Sequence, residues 1–275
     1  MFVYLSRRIL ARYFLGEQSF NEETTVKVLI VGGTGFIGRK VVSMLRERGH
    51  DAVAASPGTG VNTITGEGLD EAIAGAEAVL DVTNAPTFDP KGVLDFFTTS
   101  TSNLAKAERR AGVRHHVVLS IVGIEKLPDN PYLRGKMAQE AVTRDSDVPF
   151  TIVHATQFME YLGNIADYGT SNGETRISTA NVQLVAADDL VDELIEILLG
   201  EPHGGIVQIA GPQRARMSDA VASYLASVGD PRKVTADPAA DYFGSALQEN
   251  TLVPSGQTRI GKTSFDQWLA ERGAQ

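Results

Sequence analysis

The stretch VKVLIVGGTGFIG, Val26 to Gly38, decides the fold: an apolar run of strand character ends in a turn with glycine at 32, 33, 35 and 38. Gly33, Gly35 and Gly38 are spaced as G-x-G-x-x-G, and Gly32, Gly35 and Gly38 as G-x-x-G-x-x-G, so either register yields a dinucleotide fingerprint. One glycine permits the tight turn, one lets backbone approach a pyrophosphate with no Cβ in the way, and one allows the next helix to pack closely on its strand. The anion then sits on free N–H groups at the helix start. The context agrees. Lys27 to Val31 has the pattern of a buried strand, Val41, Val42, Met44 and Leu45 fall on one helical face, and Gly49 suits the C-terminal cap.

From there onward, short apolar runs alternate with helical patterns, which implies a parallel sheet covered on both faces. The strands are expected at 27–31, 51–55, 77–83, 113–120, 150–155 and 205–210, and the helices at 38–48, 92–111, 132–145, 188–199 and 216–227. The fold class is therefore α/β: a Rossmann doubly wound parallel sheet with a small C-terminal substrate lobe. Three segments follow: an N-terminal extension (1–25), a dinucleotide-binding domain (26–156), and the remaining sheet elements with the smaller lobe (157–275). Strand C-termini in such a sheet line one crevice, which would collect Gly32, Ser56, Thr83, Ser120 and Thr156.

Composition excludes several functions. The 275 residues are 43% hydrophobic and 21% charged, as in a globular protein, and the net charge of -9 argues against nucleic-acid backbones as partners. There is no cysteine, so disulfides, thiolate metal sites and cysteine nucleophiles are excluded together. Histidines 50, 115, 116, 154 and 203 show no metal-ligand spacing, and no metal site is expected. His115 and His116 read as satisfied or surface residues. The opening MFVYLSRRILARYFL carries Arg7, Arg8 and Arg12; it is too short to span a bilayer and reads as an upstream extension, with a basic amphipathic helix at a membrane surface as the alternative. No other segment is apolar enough to cross a membrane, and a cytoplasmic location is expected.

Ser120 ends the run HVVLS, and twelve residues later comes Tyr132-Leu-Arg-Gly-Lys136, with Glu140 on the same helical face. This arrangement resembles the short-chain dehydrogenase/reductase superfamily, whose serine and Tyr-x-x-x-Lys are matched by Ser120, Tyr132 and Lys136. The glycine turn, Ala74 to Val79, Ala111 to Arg114 and Ala186 to Leu190 resemble its extended and atypical members, including NmrA-like NAD(P)H-binding proteins, over roughly residues 26 to 270. Spacing of four places Tyr132 and Lys136 on one helical face, so the ammonium is expected to lower the phenol from its usual value of about 10. The resemblance implies Tyr132 as general acid/base and Ser120 as the partner of a substrate carbonyl, while a nicotinamide exchanges hydride.

Cofactor contacts are expected from Gly32, Gly33, Thr34, Gly35, Phe36, Ile37, Gly38, Arg39, Ser56, Thr83, Asn84 and Lys136. The second strand ends Ala54-Ala55-Ser56, with no acid to hold a ribose 2′-hydroxyl, which favours NADP over NAD. Ser56, Arg39 and the backbone of 57–60 are then expected near the 2′-phosphate. The segments 157–177 and 236–253 are expected to build the substrate pocket, with Phe158, Met159, Tyr161, Tyr242 and Phe243 as apolar lining. The expected activity is an NAD(P)-dependent oxidoreductase acting on a small carbonyl or quinone-type substrate. A cofactor-sensing protein without turnover and a sugar-type epimerase or dehydratase are the alternatives.

Overall fold

The computed structural model describes residues 25–273, so residues 1–24 of the N-terminal extension lie outside the described residues. In chain order the elements are β1 (Lys27–Val31), α1 (Phe36–Glu47), β2 (Asp51–Ala55), α2 (Leu69–Ile73), β3 (Ala78–Asp81), α3 (Pro90–Ala111), β4 (His115–Ile121), α4 (Pro131–Arg144) and β5 (Phe150–Ala155). There follow α5 (Leu162–Tyr168), β6 (Thr170–Ser171), β7 (Glu174–Ile177), β8 (Asn181–Val182), α6 (Ala187–Leu199), β9 (Gly205–Ala210), β10 (Ala215–Arg216), α7 (Met217–Ser227), β11 (Val234–Ala236), β12 (Thr258–Ile260) and α8 (Phe265–Gly273).

Seven parallel strands form the central sheet in the order β12-β9-β5-β4-β3-β1-β2. The chain leaves β1 for β2 on one side and returns to β3 on the other, so the topological switch lies at the C-terminal end of β1, where the glycine turn begins. The apolar run of β1 is continuous because both faces are covered. Val28 and Ile30 pack beneath α1 and α6, while Leu29 and Val31 pack with Leu69, Ile73 and Leu104 of α2 and α3. Strands β9 and β12 come from the C-terminal half and extend the same sheet. The rest of that half builds a separate apolar cluster around Met159, Leu162, Ile165, Met217, Val221, Leu225 and Trp268.

Local chemistry sets the element ends near the site. Asp89 caps α3 by accepting from Gly92 N at 2.7 Å, with Pro90 in the first turn. Asn130 caps α4 through bonds from Tyr132 N and Leu133 N, again ahead of a proline. Strand β3 stops at Asp81, short of the expected residue 83, because the Asp81 carboxylate turns back to accept from both Thr83 N (2.9 Å) and Thr83 Oγ1 (2.7 Å). Helix α1 starts two residues earlier than expected, with Gly35 as its N-cap. The short strands β6–β8 and β10–β12 and the small helices α2 and α5 were not anticipated.

Candidate dinucleotide and catalytic site

The glycine turn is clamped between β1, β2 and β3. Gly32 N and Gly33 N both donate to Ala55 O, at 2.9 and 3.3 Å, and Gly35 N donates to Gly32 O at 2.9 Å. Gly32 holds φ +82°, and a Cβ there would lie 2.8 Å from Val82 O. A Cβ on Gly38 would lie 2.2 Å from Gly32 O and 2.7 Å from Gly33 Cα, so α1 reaches its strand only because residue 38 is glycine. Gly35 differs: it is exposed, its φ of -75° suits any residue, and the nearest atom to a Cβ would be Gly32 O at 3.2 Å. Internal packing explains the other glycines; at Gly35 a Cβ would fill space outside the turn, at the uncapped start of α1. Such a cradle fits a pyrophosphate on the first-turn N–H groups.

A second observation concerns Ser56, at the end of β2 beside this turn. Its Oγ is buried with no hydrogen-bond partner, while its N–H donates to Thr59 Oγ1 at 2.9 Å. The expected backbone donors of 57–60 are partly used: Thr59 N bonds Ser56 O and Gly60 N bonds Pro57 O. Arg39 is exposed on α1 with its guanidinium 5.7 Å from the Phe36 ring centroid, and it lines a groove of about 570 Å³ together with Gly33, Thr34, Val42, Ser43, Arg46 and Glu47. Thr34 and Phe36 are exposed on the turn, whereas Ile37 is a core residue of α1. Asn84 is exposed beyond Thr83 at the end of β3.

The second half of the site lies between β4, β5 and α4, and it is more tightly wired than the spacing implied. Ser120 Oγ donates to Glu140 Oε1, which is also bonded to His154 Nε2 at 2.9 Å; Arg144 Nη2 donates to Glu140 Oε2 at 2.8 Å. Burial opposes ionisation of Glu140, but the bonds from His154, Ser120 and Arg144 prevail and hold its carboxyl below the ordinary value. Lys136 Nζ donates to Leu119 O at 2.6 Å and to Gln139 Oε1, and Gln139 Nε2 donates to Asp81 Oδ2 at 2.8 Å. A buried chain of polar contacts thus runs from Thr83 through Asp81 and Gln139 to Lys136. Burial pulls the Lys136 ammonium down to about 8, against the pull of Asp81 and Glu140 in the other direction.

Tyr132 is half-buried at the start of α4, with its ring 5.9 Å from that of Phe97 in an edge-on contact. Lys136 Nζ lies 5.0 Å from the same Phe97 ring centroid. Both side chains therefore border Phe97, but the expected lowering of the phenol by the ammonium is absent: burial, with the nearby Tyr161 phenol, pushes Tyr132 up to about 12. The physical reason is that Leu119 O and Gln139 hold the ammonium. Among the described residues the Tyr132 hydroxyl makes no hydrogen bond, whereas the Ser120 hydroxyl is committed to Glu140.

The expected substrate lining divides. Met159 is only 1% exposed and belongs to the C-terminal core, and Phe158 packs against the α1 and α6 cluster. Tyr161 is 43% exposed, and Tyr161, Tyr168 and Tyr242 gather around Phe243 with ring centroids 6.0, 4.5 and 4.9 Å away. Gln157, next to Tyr242, leaves its buried Oε1 without a partner. Asp81, Gln139 and His154 were missed as candidate site residues, whereas Gln157 opens the expected pocket segment 157–177. Asp81 alone carried a signal, an acid at the end of an apolar strand.

His115 and His116 are both buried, bonded to Thr151 Oγ1 at 2.8 Å and Glu108 Oε1 at 2.6 Å. They lie at the start of β4, at the opposite end from the crevice. Among the described residues no cluster of His, Cys, Asp or Glu is arranged to hold a metal ion, and no helix is long and apolar enough to cross a membrane.

A parallel sheet with its switch point at a glycine cradle defines a dinucleotide-binding α/β protein, and comparison with known proteins agrees. The chain belongs to the family described as NAD(P)H-binding, which matches residues 32–193. The (4-alkanoyl-5-oxo-2,5-dihydrofuran-3-yl)methyl phosphate reductase of Streptomyces griseus is 29% identical over 220 residues, covering 74% of each chain. Photosystem II assembly factor Ycf39 of Synechocystis is 26% identical over 50% of this chain and 46% of its own length. Among solved structures, a short-chain dehydrogenase/reductase superfamily protein from Agrobacterium tumefaciens with bound NAD superposes with a TM-score of 0.68 at 19% identity, covering 90% of this chain and 96% of its own. The cofactor is thus a nicotinamide dinucleotide.

Proposed function

We propose that this protein is an NADPH-dependent reductase in which the Tyr132 phenol delivers a proton to a carbonyl or quinone-type oxygen. The general class, an NAD(P)-dependent oxidoreductase of the short-chain dehydrogenase/reductase type, follows from the family and its reductase relatives. Bound cofactor supplies the hydride. The observation that carries the rest is the Tyr132 hydroxyl, which is left without an internal hydrogen bond on the helix that also carries Lys136. A phenol held near 12 stays protonated across the physiological range, so it serves as a donor and is a poor base. That protonation state suits the reductive direction, in which the phenol gives its proton up. The Tyr132 Oη proton passes to the substrate oxygen as that oxygen gains negative charge and becomes much the stronger base, and solvent reprotonates the phenolate. Ser120 joins the substrate by exchanging its bond to Glu140 for one to the carbonyl oxygen. Ser56 and Arg39 support the preference for NADP.

The test is a fluorescence titration with NADPH and NADH, followed by a turnover screen with the tighter cofactor against aldehydes, ketones and menadione. Tighter NADPH binding and measurable turnover are expected; NADPH binding with no turnover on any acceptor would overturn the reductase reading. A second reading, a cofactor sensor, is favoured by one observation: Ser120 and Lys136 are both committed to internal partners, leaving Tyr132 alone. That second outcome of the screen would support it.

A further inference from the structure

The Asn130 side chain does two jobs at once. Its Oδ1 accepts from Tyr132 N at 3.0 Å and Leu133 N at 3.1 Å, capping the helix that carries Tyr132 and Lys136. Its Nδ2 donates to Phe243 O at 3.0 Å and Ser245 Oγ at 2.9 Å, more than a hundred residues along the chain. Asn130 is 7% exposed, and these four bonds use both donors and both acceptor sites of the amide. One buried side chain therefore joins the first turn of α4 to a turn of the C-terminal lobe.

That second turn is strained and aromatic. Tyr242 N donates to Ser245 O and Ser245 N to Tyr242 O, at 2.7 and 3.1 Å, closing a tight reversal in which Phe243 (φ +49°) and Gly244 (φ +80°) are both left-handed. Such a backbone is unfavourable for phenylalanine and persists only where surrounding bonds over-determine it. Here the Asn130 bond to the Phe243 carbonyl supplies one of those bonds. The turn sets the Phe243 ring 6.0 Å from that of Tyr161, and Tyr132, Tyr242 and Phe243 all pack against the same C-terminal apolar cluster. Beside them the buried Gln157 Oε1 lacks a partner.

We propose that Asn130 is a positioning residue that sets the aromatic turn 242–245 against Tyr132 and so fixes the wall of the substrate site. This rests on the reductase reading of that site. The structure separates the two jobs of Asn130 chemically: aspartate still accepts from the helix N–H groups but cannot donate to Phe243 O or Ser245 Oγ. For Asn130→Asp the expected result is a KM for menadione raised about ten-fold with kcat and the NADPH dissociation constant within about two-fold. Hydrogen exchange should accelerate at the Tyr242 and Ser245 amides and stay slow at Leu133. Ser245→Ala, which removes one of the two acceptors, should move both readings the same way by less. Unchanged KM, or faster exchange in the turn with KM unaltered, would overturn the proposal. If wild-type protein reduces nothing, the reductase reading fails separately; exchange then decides the tether by itself, and unaltered exchange in Asn130→Asp overturns it.

Discussion

Replacing Gly35 with serine separates a glycine required by the fold from one required by a ligand. Residue 35 is the N-cap of α1, with a φ of -75° that serine adopts freely, and its Cβ would sit 3.2 Å from Gly32 O, a contact relieved by a few tenths of an ångström. Serine is at least as good an N-cap as glycine, worth a few tenths of a kcal/mol, so the folded protein should keep or slightly raise its stability. The same side chain would occupy the space above the first-turn N–H groups, where the proposed cradle would hold the pyrophosphate. Loss of one or two charge-assisted hydrogen bonds, about 1.5–3 kcal/mol, corresponds to an affinity loss of about ten- to a hundred-fold. Gly38→Ala is the contrast: a Cβ 2.2 Å from Gly32 O must push α1 away, costing about 1–3 kcal/mol in stability as well as affinity. Thermal melts without ligand and NADPH fluorescence titrations measure both quantities. Gly35→Ser with wild-type affinity, or with a collapsed melting temperature, would refute the assignment of the cradle.

Three further outcomes follow from the buried polar groups and the cofactor pocket. Glu140→Gln should cost about 1–3 kcal/mol near neutral pH, because a buried carboxylate with three donors is lost while the half-exposed Arg144 is free to resolvate. Since the Glu140 carboxyl is held below its ordinary value, its contribution is present above the usual carboxylate range and lost as pH falls through the native value; urea midpoints of the variant should therefore decline less steeply in acid than those of the wild type. His115 behaves as a buried neutral base: burial lowers it to about 4, so between about 6.5 and 4 the unfolded chain is protonated and the native one is not, and stability falls with pH across that window. His115→Gln should flatten this slope, and a parallel slope in the variant would count against the buried neutral form. Arg39→Ala should weaken NADPH binding by about five-fold, as suits an exposed charge pair worth about 1 kcal/mol, and leave NADH unchanged in paired titrations.

The sheet was legible in the sequence where strands are buried on both faces. β1, β2, β5 and β9 occupy the expected residues, because parallel strands under helices need uninterrupted apolar runs bounded by turn residues. The two- and three-residue strands of the C-terminal half carry no period to detect, and their pairing is set by tertiary contact. The glycine turn was legible for a similar reason: a backbone constraint leaves a compositional mark. Side-chain partnerships leave none. Four-residue spacing placed Tyr132 and Lys136 on one face, yet Gln139, three residues on along the same helix, and Leu119 O compete for the ammonium, and the carbonyl is not visible before the strand and helix are set side by side. Asn130 was not singled out in the sequence, because its second pair of bonds depends on the position of residues 243 and 245.

The most direct test of the account is the rate of NADPH consumption by Tyr132→Phe, read from cofactor absorbance with the acceptor that the wild type turns over best. Phenylalanine keeps the ring against Phe97 and removes only the hydroxyl, so the NADPH dissociation constant should stay within about two-fold while kcat falls by about a hundred-fold or more, the usual range for a lost proton donor. A variant that reduces the acceptor at the wild-type rate would contradict the assignment of Tyr132 as the proton donor.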